Sequence, residues 1–251
     1  MSLQACADIV QRGDPDRFAA AMAAPVEARR VLFPLYAFNV EVARAPWVAS
    51  EPMIGEMRLQ WWRDALEEVR DGKEIRRHEV TTPLADVLDA GGAEALDKLV
   101  AARRWDLYRE PFEDVTHFSD YIRAGGILMW TAARLLGGEE RAVGRVTALG
   151  QGAALARFLQ AVPELEARGR IPLVDGRPEA VRELARSALA EMPVRGDVKR
   201  ALPRLARAAT IEAWQARPVL EQVVREPARV SEGRLGLSEF RKRFGLLHAT
   251  L

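Results

Sequence analysis

Apolar residues recur at spacings of three and four along almost the whole chain, and no stretch alternates as a half-buried strand does. Pro25 opens a segment in which Val31, Leu32, Leu35, Phe38 and Val42 share one helical face. Pro46 closes it, because a proline disfavours helix in the residue before it. Ser50 reads as the N-cap of the next helix, with Pro52 in its first turn. That helix carries Ile54, Met57, Trp61, Trp62, Leu66 and Val69 and stops at Asp71 and Gly72. The pattern then predicts a short helix over about 83–89, broken by Gly91 and Gly92, and another over about 94–108. Thr116 reads as the cap of a helix with Phe118, Tyr121, Ile122, Met129, Trp130 and Leu136, closed by Gly137 and Gly138. Residues 139–162 form one long helix ended by Pro163, and residues 169–178 form a loop. Helices over about 179–192 and 197–225 follow, the second bent at Pro203 and Pro218, and a capped terminal helix starts at Ser238. With no repeat, low-complexity run or linker, the expected architecture is one all-α domain over residues 1–251.

Two of these helices carry small residues inside them: Gly125 and Gly126 on one, and Gly150, Gly152, Ala153, Ala154 and Ala156 on another. An interior glycine costs up to about 1 kcal/mol relative to alanine. Either close helix–helix approach or room for a ligand should offset that cost.

Composition narrows the function classes. Lys+Arg number 37 against 36 Asp+Glu, so no overall field draws the chain to nucleic acid or to an anionic membrane. One cysteine, Cys6, excludes an internal disulfide and a cysteine zinc site; His78, His117 and His248 stand too far apart for a helical metal pair. No stretch approaches the roughly 18 apolar residues that span a bilayer. The start lacks a basic segment followed by an apolar run, so a secretory signal is not expected. The expected location is cytoplasmic, at most peripheral to the inner membrane.

Four motifs stand in order. Phe18, Pro25, Arg29 and Tyr36-Ala37-Phe38 come first; Trp61-Trp62-Arg63, Gly72 and His78-Glu79-Val80 follow. YIRAGGILMWTAARLLG (121–137) and Gly169-Arg170-Ile171-Pro172-Leu173 complete the series. In that order they resemble the squalene/phytoene synthase family over roughly residues 13–175, and more faintly to the end. PLYAFNVEVARA (34–45), IGEMRLQWWRDALEEV (54–69) and GQGAALARFLQAVP (150–163) are similar to one branch, that of the family's mitochondrial complex I assembly factor. The resemblance implies the all-α isoprenoid-synthase fold around a central cavity. It does not by itself imply turnover.

Active members of that family ionise an allylic diphosphate with magnesium held by two Asp-x-x-x-Asp pairs on facing helices. The i, i+4 spacing puts both carboxylates of a pair on one helical face. Here the resemblance places the first pair at Ala43 and Trp47 and the second at Ala161 and Leu165. Neighbouring polar positions differ as well, with Ala154, Ala156-Arg157 and Gln160 before the second pair and Arg17 where a serine is usual. Losing every metal ligand removes the main stabiliser of the departing charge. Of the other acids, Glu41 faces another side of its helix, and Glu164 and Glu166 lie past Pro163. Asp64, Glu67 and Glu68 read as a solvated face opposite the tryptophans.

The expectation is therefore a non-catalytic member that binds an isoprenoid or other lipid, or acts as an assembly factor for a respiratory complex. No metal or cofactor is expected. The alternative is an active head-to-head prenyltransferase whose magnesium site is rebuilt from other acids. Tyr36, Phe38, Asn39, Tyr121, Gly125, Met129, Ala154 and Phe158 are the expected cavity lining, with Trp47, Trp61, Trp62 and Trp130 as further apolar candidates. Arg29, Arg157 and Arg170 are the candidate phosphate-binding residues. The terminal stretch 240–251 is basic and amphipathic, so membrane contact is at most peripheral; an ordinary capped terminal helix is the favoured reading.

Overall fold

In a computed structural model, which describes residues 2–49 and 51–250, Ser2 caps the first helix by accepting from the Ala5 amide at 3.4 Å. That helix, α1 (Leu3–Gly13), turns Cys6, Ile9 and Val10 inward. Asp14 caps α2 (Pro15–Ala23) by accepting from the Arg17 amide at 2.9 Å, with Pro15 in the first turn where no amide is needed. Helix α3 (Val26–Arg44) runs through the centre, with Leu32, Leu35, Tyr36, Ala37, Phe38 and Val42 fully buried. Helix α4 (Pro52–Arg70) ends where Gly72 takes a φ of 63°, a left-handed turn that favours glycine. Among the described residues every regular element is helical and no strand forms.

Several element boundaries differ from the sequence expectation. Ser50, the expected cap of α4, lies outside the described residues, and α4 follows Glu51. The short helix α5 is Thr81–Ala85. Gly91 and Gly92 do not break a helix: they lie in the first turn of α6 (Ala90–Ala102), whose cap Asp89 accepts from the Gly92 amide at 2.8 Å. A 3-10 segment, Arg103–Leu107, continues from α6. Asp114, not Thr116, caps α7 (Val115–Leu135), accepting from the His117 amide at 2.8 Å.

The long helix α8 (Val143–Ala167) passes through Pro163 and does not stop there. An interior proline costs about 3 kcal/mol, and the buried Val162 and Leu165 on either side anchor the helix against that cost. Glu164 and Glu166 are thus helical residues. The loop over 169–177 leads to α9 (Pro178–Glu191). The expected bent helix over 197–225 is instead three pieces: α10 (Arg195–Ala201), a 3-10 segment Ala206–Ala213, and α11 (Ala216–Arg225). A short α12 (Ala228–Ser231) precedes α13 (Glu239–Thr250), where the Ser238 hydroxyl accepts from the Arg241 amide at 3.4 Å.

Helices α7 and α8 make the most extensive pairing. A Cβ added at Gly150 would sit 2.7 Å from the Gly125 carbonyl oxygen, and one at Gly126 would sit 2.7 Å from that of Thr147. Gly126 and Gly150 thus serve close helix approach.

Candidate functional site

A cleft of about 240 Å³ opens where α3, α7 and α8 converge near the 3-10 segment Arg103–Leu107. Helix α3 presents Asn39 and Ala43, with Trp47 just beyond it; α8 presents Ala154, Arg157, Phe158, Ala161 and Leu165; α7 presents Tyr121 and Gly125. The four positions that lack carboxylates, Ala43, Trp47, Ala161 and Leu165, therefore line the same cleft, although they come from separate segments.

Other expected lining residues lie elsewhere. Tyr36, Phe38 and Met129 are fully buried in the core and off the cleft surface. Trp61 and Trp62 are not cavity residues either. They pack edge-to-face with each other at 4.9 Å, with His78 against both and Phe38 against Trp62. Trp130 packs half-buried against the core.

Three arginines reach the cleft, and each is already engaged. Arg17 donates from Nη1 to Asp14 at 2.9 Å and from Nε to the Glu212 carboxylate, both pairs deep in the protein. Arg157 donates to the same carboxylate and to the Glu212 carbonyl, each at 2.9 Å. Burial works against the Asp14 charge, yet Arg17 and Arg157 hold its carboxyl below the usual range. Burial likewise opposes the Arg17 charge, and Glu212 and Asp14 more than offset it, raising its pKa.

On the opposite side, Arg103 Nη1 donates to the Tyr121 hydroxyl at 2.6 Å and to Asp106 at 3.3 Å, while Tyr121 donates to Asp106 at 3.1 Å. Burial pushes the Asp106 carboxyl up despite the neighbouring Arg103. Trp105, Phe112, Phe118, Tyr121 and Phe158 pack behind this group, Trp105 stacked on Phe112 at 4.0 Å.

Of the candidate phosphate ligands, only Arg157 lies on the cleft. Arg29 closes the end of α2 by donating to the carbonyls of Met22 and Ala24. Arg170 donates to the carbonyls of Tyr108 and Trp105, its guanidinium 4.4 Å from the Trp105 ring and 5.7 Å from that of Trp47. Three of the other acids are also committed: Glu68 to Arg76 at 2.7 Å, Glu164 to Arg168 at 2.6 Å, and Glu41 to Arg44 at 3.5 Å. Glu68 is thus partly covered by Arg76, which also lies over Trp61, and is not a freely solvated charge. Among the described residues no group of three or more His, Cys, Asp or Glu side chains converges as a metal site. The cleft's donor set does not fit a magnesium ion, which needs several unencumbered oxygens.

Arg103, Asp106, Asp14 and Glu212 were not among the sequence candidates. The one signal for Glu212 is its position as a lone acid in the alanine-rich stretch AATIEAW.

The model of the squalene/phytoene synthase family matches residues 10–237. The chain belongs to that family. It is 26% identical over 177 residues to a Drosophila melanogaster protein named as a complex I assembly factor 6 homolog, covering 67% of this chain and 53% of that one. It is 23% identical over 180 residues to the assembly factor 6 of Bos taurus, covering 66% and 51%. The chain spans about half the length of these relatives. In fold it is similar to a dehydrosqualene synthase crystallised with a ligand, with a TM-score of 0.74, 16% identity and coverage of 98% and 94%. A squalene synthase from Alicyclobacillus acidocaldarius aligns with a TM-score of 0.70, 16% identity and coverage of 94% and 95%.

Proposed function

From its membership of the squalene/phytoene synthase family, we propose that this chain is a non-catalytic member that supports assembly of a respiratory complex of the complex I type. One observation carries the reading: Ala43, Trp47, Ala161 and Leu165 share a cleft whose arginines are neutralised from within by Asp14, Glu212 and Asp106. A diphosphate entering there would meet no magnesium ligands. It would also have to draw Arg17 or Arg157 away from Glu212 and so weaken a buried ion network. The cleft volume of about 240 Å³ falls below the ~300–1,000 Å³ usual for small-molecule pockets. Two prenyl chains would not fit beside each other. A single short apolar segment of an isoprenoid or acyl chain matches it better, against Trp47 and Phe158.

Complex I assembly takes place at a membrane, and no described helix is long and apolar enough to cross one. We take the chain to act at the cytoplasmic face, attached through surface contacts. Purified protein incubated with farnesyl or geranylgeranyl diphosphate and magnesium is expected to release no diphosphate; sustained release would establish the transferase alternative. Deleting the gene in its source cells is expected to reduce assembled NADH dehydrogenase on native gels. Unchanged complex levels would remove the assembly role.

A further inference from the structure

A second cavity, of about 870 Å³, shares no lining residue with the cleft. It lies between α10, the 3-10 segment Ala206–Ala213, α11 and α13. Leu149, Met192, Val198, Ile211 and Trp214 form its apolar part. Arg195, Lys199, Arg204, Arg207 and Arg217 also line it, and among the described residues no acid does.

These five cations have no carboxylate partner among the described residues, in a protein where most cleft arginines are paired. Arg207 and Arg217 donate only to the carbonyls of Leu202 and Met192, and the nearby Asp197 turns to Arg200 at 2.5 Å. Two donors in the wall, Arg195 Nη2 and Trp214 Nε1, are buried with no acceptor. Desolvation, then the charges of Arg195 and Arg207, hold the Lys199 ammonium below its ordinary pKa. Crowded cations and unmet donors beside an apolar wall fit an amphiphile with an anionic head.

Helix α13 covers one side. Gly245 abuts the Trp214 indole, where an added Cβ would lie 3.3 Å from the ring. The outer face of α13 exposes Phe240, Phe244 and Leu247 at i, i+4 and i+7, with Arg241 and Arg243 beside them. That pairing of large apolar and basic side chains suits the interface of an anionic bilayer.

We propose that this cavity holds an anionic phospholipid, its phosphate among Arg195, Lys199 and Arg204 and an acyl chain along Leu149, Met192 and Trp214, with α13 seated in the membrane interface. The proposal goes beyond the assembly reading and stands independently of it.

Flotation of the full chain with phosphatidylcholine vesicles, with and without phosphatidylglycerol, tests it, followed by native mass spectrometry in detergent. The wild type is expected to float only with the anionic vesicles and to retain a bound phosphatidylglycerol that millimolar inorganic phosphate does not displace. The Lys199→Glu/Arg204→Glu variant is expected to bind about thirtyfold more weakly. If circular dichroism shows that variant misfolded, Lys199→Gln/Arg204→Gln serves in its place. The Phe240→Ser/Phe244→Ser variant should lose flotation yet keep the lipid in detergent. Absence of retained lipid, equal flotation with pure phosphatidylcholine, displacement by phosphate, or undiminished binding after charge removal would each overturn the proposal.

Discussion

Arg17 and Glu212 stand 195 residues apart in the chain and meet as a buried ion pair at the edge of the cleft. Glu212 also accepts from Arg157, so a single carboxylate ties α2, α8 and the 3-10 segment Ala206–Ala213 together. Glu212→Ala leaves two arginines without their shared counter-charge, and a loss of about 3–5 kcal/mol is expected in urea unfolding. The double variant Arg17→Met/Glu212→Leu should lose less than the sum of its two single variants, because it removes the more deeply buried of the two stranded arginines. Additive losses would contradict this account.

Asp89 caps α6 and holds Arg134 through two oxygens at 2.5 and 2.6 Å. The hydrogen bond from Arg134 outweighs desolvation and brings its carboxyl to about 2. A depressed native pKa means that its contribution is complete above the unfolded value of about 3.9 and fades as pH falls through about 2. Carboxyl NMR titration of Asp89 checks the midpoint. Asp89→Ala is expected to cost about 1 kcal/mol at neutral pH.

Gly150→Ala places a methyl 2.7 Å from the Gly125 carbonyl and 2.8 Å from the Gly126 Cα, backbone that cannot turn aside. A loss of about 1–3 kcal/mol is expected, read as a lowered melting temperature. Gly144→Ala, in the first turn of the same helix, meets nothing within 4 Å and should leave the melt near wild type.

Arg170→Lys keeps the charge but cannot reach both the Tyr108 and Trp105 carbonyls or stack on Trp105. About 2 kcal/mol of stability should be lost. A change in tryptophan fluorescence should accompany it, since Trp47 and Trp105 both contact this guanidinium.

Burial, with a smaller contribution from Glu79, pushes the Cys6 thiol up to about 12, and its Sγ faces the Glu79 carbonyl at 3.5 Å. A thiol reagent at pH 8 should label Cys6 only at the rate of unfolding, because the thiolate is the nucleophile. Fast labelling of the folded chain would show that the site opens locally.

Much of the helix inventory was legible because an amphipathic repeat is a local property. The ends were less so. Thr116 and Asp114 are both good caps by residue type, and only the backbone path selects Asp114. Pro163 looked like a terminus by its chemistry, whereas the buried neighbours Val162 and Leu165 carry α8 through it. Aromatic residues misled for a related reason. Trp61, Trp62 and Phe38 have the same composition in a core as on a cavity wall, and packing against one another and against His78 takes them away from the cleft.

The helical class, and the lack of side-chain carboxylates at Ala43, Trp47, Ala161 and Leu165, follow from the residue order, because periodicity is local and a side chain's atoms do not depend on where it lands. Tertiary structure alone decided which charges meet. Arg17 finds Glu212 while Lys199 and Arg204 find no carboxylate among the described residues, since Coulomb attraction acts through distances in space that no sequence spacing reveals.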